Sequence, residues 1–195
     1  MLPAEFELAT ARLRLRPWQP TDAPALLALM NTNRARLQPD FPATTAAIRD
    51  LASAADFIAE KLREWAARTN FQLSIWEPAA DGDCLGFISF TNLDWSVPKA
   101  ELVGLVAAGY EGRGLMTEAG HAAVRWAFRR VGLQRLYCYI GPQNTRSLAL
   151  VQRLGLRPEG LLRHNYRVGD GELVDSVVSG MIRADFFALP QRETA

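Results

Sequence analysis

The sequence predicts an α+β (mixed α/β) protein, with one central mixed sheet and helices on both of its faces. Strand-like patterning opens the chain, fills residues 71–107 and returns at 136–140 and 161–182. Helical spacing falls early, over 44–68, and again between the later strands. A glycine turn, Gly112-Arg113-Gly114, joins a Val- and Leu-rich strand to a helix. Helices that fall both early and between strands place them on the faces of one sheet.

Arg12-Leu13-Arg14-Leu15-Arg16 alternates strictly and reads as a half-buried strand ended by Pro17. Thr21-Asp22 offers a helix N-cap, with Pro24 tolerated in the first turn. Leu26, Leu27, Leu29 and Met30 give that helix its apolar side. A loop is expected over 31–42. From Thr44 to Arg68, Ile48, Leu51, Ala55, Ile58, Leu62 and Trp65 follow the spacing of one helical face. Phe71–Trp76 alternates, Asp81-Gly82-Asp83 is a turn signal, and Cys84–Leu93 reads as the second arm of a hairpin. Glu101–Ala107 is the next strand. The helix after the glycine turn should stop near Gly132. Leu136–Ile140 reads as a buried strand, and Thr145–Leu154 as a short helix ended by Gly155. Leu161–Val168 and Leu173–Ile182 flank Gly169-Asp170-Gly171 as a final hairpin. The 195 residues suit a single domain, 1–195, with 188–195 a loose tail.

Composition narrows the class. A formal net charge of +1, with no long basic run, argues against nucleic acid as a partner. The start, Met1-Leu2-Pro3-Ala4-Glu5, lacks the charged and apolar blocks of a secretory signal, and no run reaches the length of a membrane span. Cys84 and Cys138 lack metal-ligand spacing and read as reduced thiols of a cytoplasmic protein. No metal is expected.

The glycine turn carries the chemical signal. Two glycines leave the backbone bare at a helix start, where unpaired N–H groups and the positive end of the helix dipole attract an anion. A P-loop would need Gly-Lys-Ser/Thr where Leu115-Met116-Thr117 stands. A dinucleotide fingerprint would need a glycine at Thr117 and an earlier place in the chain. Phosphate binding and a plain tight turn both remain open on these residues alone.

Longer motifs then favour one family. Ala100–Val106 with Tyr110-Glu111-Gly112-Arg113-Gly114-Leu115-Met116-Thr117-Glu118-Ala119 resembles the acetyl-coenzyme A motif of the GNAT superfamily of N-acetyltransferases. Leu133-Gln134-Arg135-Leu136 resembles its strand entry. Asn144-Thr145-Arg146-Ser147 and Leu154-Gly155-Leu156 resemble its Asn-x-x-Ser helix and ending. Arg163, Gly169 and Asp175 stand where the RimJ/RimL branch has arginine, glycine and aspartate, and that branch acetylates α-amino groups of ribosomal proteins. Glu111 and Met116 depart from the Gln/Arg-x-x-Gly-x-Gly/Ala pattern. Methionine at that place is common in the branch, whereas a carboxylate beside a diphosphate should weaken cofactor affinity.

The resemblance implies the GNAT fold and acetyl-CoA as co-substrate. It would be held by Leu105, Val106, Ala107, Glu111, Gly112, Arg113, Gly114, Leu115, Met116, Thr117, Asn144 and Ser147. Glu101 is the candidate base, acting directly or through water, or else a solvated strand-end acid. Ser147 is the candidate acid or positioner of the coenzyme A sulfur, or else satisfies local backbone. Asn144 is also a good N-cap. Asn33, Arg34, Phe41 and Tyr166 are candidate acceptor-site residues. Tyr166 stands where some relatives place a catalytic glutamate. Trp18, Trp65 and Trp95 read as core aromatics or site walls, and His121 and His164 as structural. The expected function is transfer of an acetyl group to a protein N-terminal α-amine through a ternary complex, with a homodimer among the assemblies the resemblance allows. The alternatives are a small amine acceptor (antibiotic, polyamine or amino acid) and a non-catalytic acyl-CoA-binding module.

Overall fold

A computed structural model describes residues 6–79, 82–169 and 171–189. The signal-peptide reading of residues 1–5, Asp81, Asp170 and the 190–195 part of the tail lie outside the described residues. The strands are β1 (Leu8–Ala9), β2 (Arg14–Pro17), β3 (Phe71–Trp76), β4 (Cys84–Asp94), β5 (Lys99–Val106), β6 (Arg135–Ile140), β7 (Arg157–Arg167) and β8 (Leu173–Ile182). The helices are α1 (Ala23–Leu37), α2 (Pro42–Ala47), α3 (Leu51–Ala67), α4 (Leu115–Trp126), α5 (Thr145–Arg153) and α6 (Arg183–Ala188). One eight-stranded sheet runs in the order β1-β2-β3-β4-β5-β6-β8-β7. Among the described residues only β5 and β6 pair in parallel, so the sheet is mixed, as expected.

Each face has its own core. On one, Leu102 of β5 packs with Ala119, Ala123 and Trp126 of α4 and Val151 and Leu154 of α5. On the other, Leu105 and Phe87 pack with Leu26, Leu29 and Met30 of α1 and Ala54 and Ile58 of α3. Alternation along β5 therefore sends Leu102 and Leu105 to opposite faces. α4 and α5 meet closely, because a Cβ at Gly120 would stand 2.7 Å from a Leu154 methyl.

Several boundaries differ from expectation. Asn33, Arg34 and Arg36 lie on α1 and not in a loop, since the helix runs on to Leu37. The 44–68 periodicity splits into α2 and α3. Ile48 is fully buried but extended, and Asp50 starts α3 afresh by accepting from the Ser53 N–H. Asp22 does not cap α1 with its side chain, and its carboxylate instead pairs with Arg16 (2.7 Å) and accepts from the Gln19 N–H. β6 is buried on one side only, with Tyr139 exposed. Within the stretch expected to be a tail, Ala188 ends α6, which buries Phe186, and Leu189 packs against the core. β7 is an edge strand, at the end of the sheet opposite β1, and is exposed along its whole length. Both cysteines are free, and burial pushes each thiol up to about 12, so neither supplies a thiolate at neutral pH.

Candidate active site

β5 and β6 form a notch. They pair over three rungs, Lys99–Arg135, Ala100–Leu136 and Glu101–Tyr137, and then separate. Beyond Glu101, the β6-facing edge of β5 has no strand partner among the described residues. Unpaired backbone donors and acceptors along such an edge suit an extended chain bearing amides.

Glu101 stands at the apex of that notch, on the last shared rung. It pairs with Thr91 across β4 and accepts a 2.8 Å hydrogen bond from Asn92 Nδ2. Asn92 has positive φ (49°) where the β4–β5 register is irregular, a conformation asparagine tolerates. Burial raises the Glu101 carboxyl above its ordinary value, against the lowering effect of the Asn92 bond. Glu101 in turn helps burial to raise the Tyr137 hydroxyl. Sequence reasoning missed Asn92, because no local pattern marks a cross-strand partner.

The glycine turn lies at the far end of β5. Gly112 (φ 72°) and Gly114 (φ 75°) both adopt the left-handed region, and a Cβ at Gly112 would meet nothing within 4 Å. Gly114 precedes Leu115 as the N-cap and offers no side-chain cap to the first N–H groups of α4, the kind of helix start that suits an anion. Arg12 props the turn from behind, donating to the Arg113 carbonyl (3.0 Å) and pairing with Glu118 (2.7 Å). Met116 covers the α4 side of β5, where a Cβ at Gly104 would come within 2.5 Å of its methyl.

α5 borders the notch beyond β6. Asn144 caps it, its Oδ1 accepting from the Ser147 N–H at 3.1 Å. Ser147 is half-buried in the first turn. Glu111 links this helix to the turn and to α1: it pairs with Arg36 at 2.8 Å and with Arg146 at 3.0 Å.

The four acceptor-site candidates are placed differently. Asn33 is buried, and its amide is spent on local contacts: Nδ2 donates to the Leu29 carbonyl, and Oδ1 accepts from the Ala108 N–H and from Arg36. Arg34 donates to the Thr45 and Ile48 carbonyls and so holds the α2–α3 connection. Phe41 packs partly into the α1–α3 core. Tyr166 reaches over from β7, and its hydroxyl donates to the Asp40 carbonyl at 3.0 Å. Gly169 comes equally close to α1, since a Cβ there would stand 2.9 Å from the Gln38 carbonyl. The β7–β8 hairpin thus touches the end of α1. Trp18 and Trp65 are core residues, and Trp95 lies at the end of α3, donating to the Arg68 carbonyl.

The acetyltransferase (GNAT) domain family matches residues 12–157, three quarters of the chain. The chain belongs to this GNAT family. Among similar proteins, the putative ribosomal N-acetyltransferase YdaF of Bacillus subtilis is 31% identical over 58% of the chain and 57% of its own length. Spermidine N(1)-acetyltransferase of Escherichia coli is 27% identical over 44% of the chain and 46% of its own length. The chain thus spans about half the length of these curated relatives. The Mycobacterium smegmatis RimJ structure, in complex with CoA-disulfide, superposes with a TM-score of 0.80 at 24% identity, covering 92% of the chain and 84% of RimJ. That likeness shows that the GNAT domain has the same fold. No helix among the described residues is long and apolar enough to cross a membrane, and no group of metal-ligating side chains is found among them.

Proposed function

We propose that this GNAT domain transfers an acetyl group from acetyl-CoA to a primary amine, most specifically to a protein N-terminal α-amine. The observation that carries the reading is the notch between β5 and β6, with a half-buried carboxylate at its apex and an uncapped helix N-terminus at its mouth. The residues present fit coenzyme A. The open edge of β5 offers backbone groups to its amide-bearing arm, and the turn 111–116 offers N–H groups to its diphosphate.

Glu101 takes the proton from the attacking amine, directly or through a water. An α-amine, with a pKa near 8, asks less of such a base than a lysine near 10.4. The amine nitrogen bonds to the thioester carbonyl carbon and the C–S bond breaks. Coenzyme A leaves as a thiolate that accepts a hydrogen bond from the Ser147 hydroxyl and takes its proton from solvent, while Asn144 fixes the helix turn that presents Ser147. Removing that single donor, by Ser147→Ala, is expected to lower kcat about 10- to 100-fold, the worth of one hydrogen bond to a charged group, with less effect on the KM of the amine. Steady-state kinetics measure this, and an unchanged kcat would leave Ser147 as a plain first-turn residue.

The name of YdaF favours a ribosomal-protein acceptor, whereas the spermidine acetyltransferase keeps a polyamine in view. Thiol release from acetyl-CoA, measured with free-N-terminus peptides, N-blocked lysine peptides and polyamines, separates the two. Turnover confined to free N-termini is the expected result. Turnover confined to polyamines would move the acceptor class, and binding of coenzyme A without any turnover would make the domain an acyl-CoA-binding module.

A further inference from the structure

Glu111 puts a carboxylate into a turn suited to an anion. Its two oxygens are divided between two guanidiniums: Arg36 on Oε1 and Arg146 on Oε2. The three residues belong to three elements around the notch, namely α1, the β5–α4 turn and the first turn of α5. Their environments differ. Arg36 is also held by the Val106 carbonyl (2.7 Å) and by Asn33 Oδ1, so it stays at the end of β5 whatever Glu111 does. Arg146 has a side chain that is 77% exposed and reaches to Glu111 alone in the contacts the structure shows.

We propose that Arg146 is a specificity-determining cation for the diphosphate of coenzyme A, and that Glu111 is its internal competitor. The proposal rests on the coenzyme A reading above. The Glu111 carboxylate and a diphosphate oxygen call on the same planar donor fork. A diphosphate at the uncapped start of α4 draws Arg146 toward itself, and the carboxylate then opposes the anion both by repulsion and by holding the guanidinium back. The pair therefore lowers coenzyme A affinity below what the turn alone would give. This favours release of the product after each turnover.

Calorimetric titration with coenzyme A and with pantetheine, which lacks the diphosphate, tests this at low ionic strength. Glu111→Gln is expected to bind coenzyme A about three- to ten-fold more tightly, in the range of partly exposed charge pairs, and to bind pantetheine as the parent protein does. Arg146→Ala, a change at an exposed side chain, should weaken coenzyme A binding by about the same factor and again leave pantetheine alone. In the double variant, the gain from Glu111→Gln should shrink, because the guanidinium that Glu111 holds back is gone. Equal effects on both ligands would mean that the pairs only staple the elements together, and would overturn the proposal. So would a Glu111→Gln protein that binds coenzyme A no more tightly. If the parent protein binds neither ligand, the coenzyme A reading falls and this inference with it.

Discussion

Glu101→Gln is expected to lower kcat about 10²- to 10³-fold, the usual contribution of a positioned general base, while coenzyme A still binds. The amide keeps the shape of the side chain and can still accept from Asn92, so the loss reports on the proton acceptor and not on packing. Burial holds the Glu101 carboxyl above its ordinary value, and this has two signed consequences. In the proposed mechanism the active form is the carboxylate, so kcat/KM of the parent protein should climb as pH rises through that elevated value. The Gln variant should lose this limb and keep only the one set by the amine. The second consequence concerns stability. A carboxyl whose folded pKa is raised favours folding below its unfolded value and forfeits that stability as pH rises through the folded value. At neutral pH the buried charge therefore works against the fold. Glu101→Gln should melt slightly above the parent at pH 7, with the difference vanishing in acid. A variant that is slower and slightly more stable identifies a site held at a cost in stability. Unchanged kcat together with an unchanged pH profile would return Glu101 to a sheet residue.

The parts of this site written into local sequence could be read in advance, and the parts made by folding could not. Gly112 and Gly114 announced the turn because positive φ excludes most other residues, and the structure places both there. Asn144 announced α5 because capping acts over three residues. Asn92 and Glu101 meet only through the register of β4 on β5, and that register is irregular just where they touch. Glu111 meets Arg36 and Arg146 across separations of 75 and 35 residues, which no window spans. The α2–α3 break was hidden by Ile48, which continues the apolar spacing although its backbone is extended. Burial fixes its character, and the Asp50–Ser53 cap fixes where the helix begins. β7 starts four residues earlier than its apolar pattern suggests, because an exposed edge strand needs no apolar face.

Trp126→Ala is expected to cost about 3–5 kcal/mol of folding stability, as large aromatic truncations in a core do. Trp126, at the end of α4, is 2% exposed and forms the centre of an aromatic cluster. It stacks on Trp65 at 5.7 Å, meets Phe71 edge-on at 5.4 Å, and touches Phe90 and Phe6 at 5.7 and 5.2 Å. Its removal would empty the contact that ties α4 and the end of α3 to the sheet. Trp126→Phe should behave differently. The Trp126 Nε1–H is buried and has no hydrogen-bond partner among the described residues. A buried donor left unpaired costs about 1–3 kcal/mol, so phenylalanine loses ring volume but also removes that penalty. The two effects oppose one another, and Trp126→Phe should remain within about 1 kcal/mol of the parent. Urea unfolding of the three proteins measures both differences, and a Phe variant as unstable as the Ala variant would show that the indole N–H finds a partner after all. The functional consequence follows from the same helix. The end of α4 that Trp126 anchors lies opposite the N-terminus proposed to take the diphosphate, so a loosened helix would present its N–H groups less firmly. In Trp126→Ala, coenzyme A should therefore raise the melting temperature by less than it does in the parent at equal ligand concentration, because stabilisation by a ligand follows its affinity for the folded state.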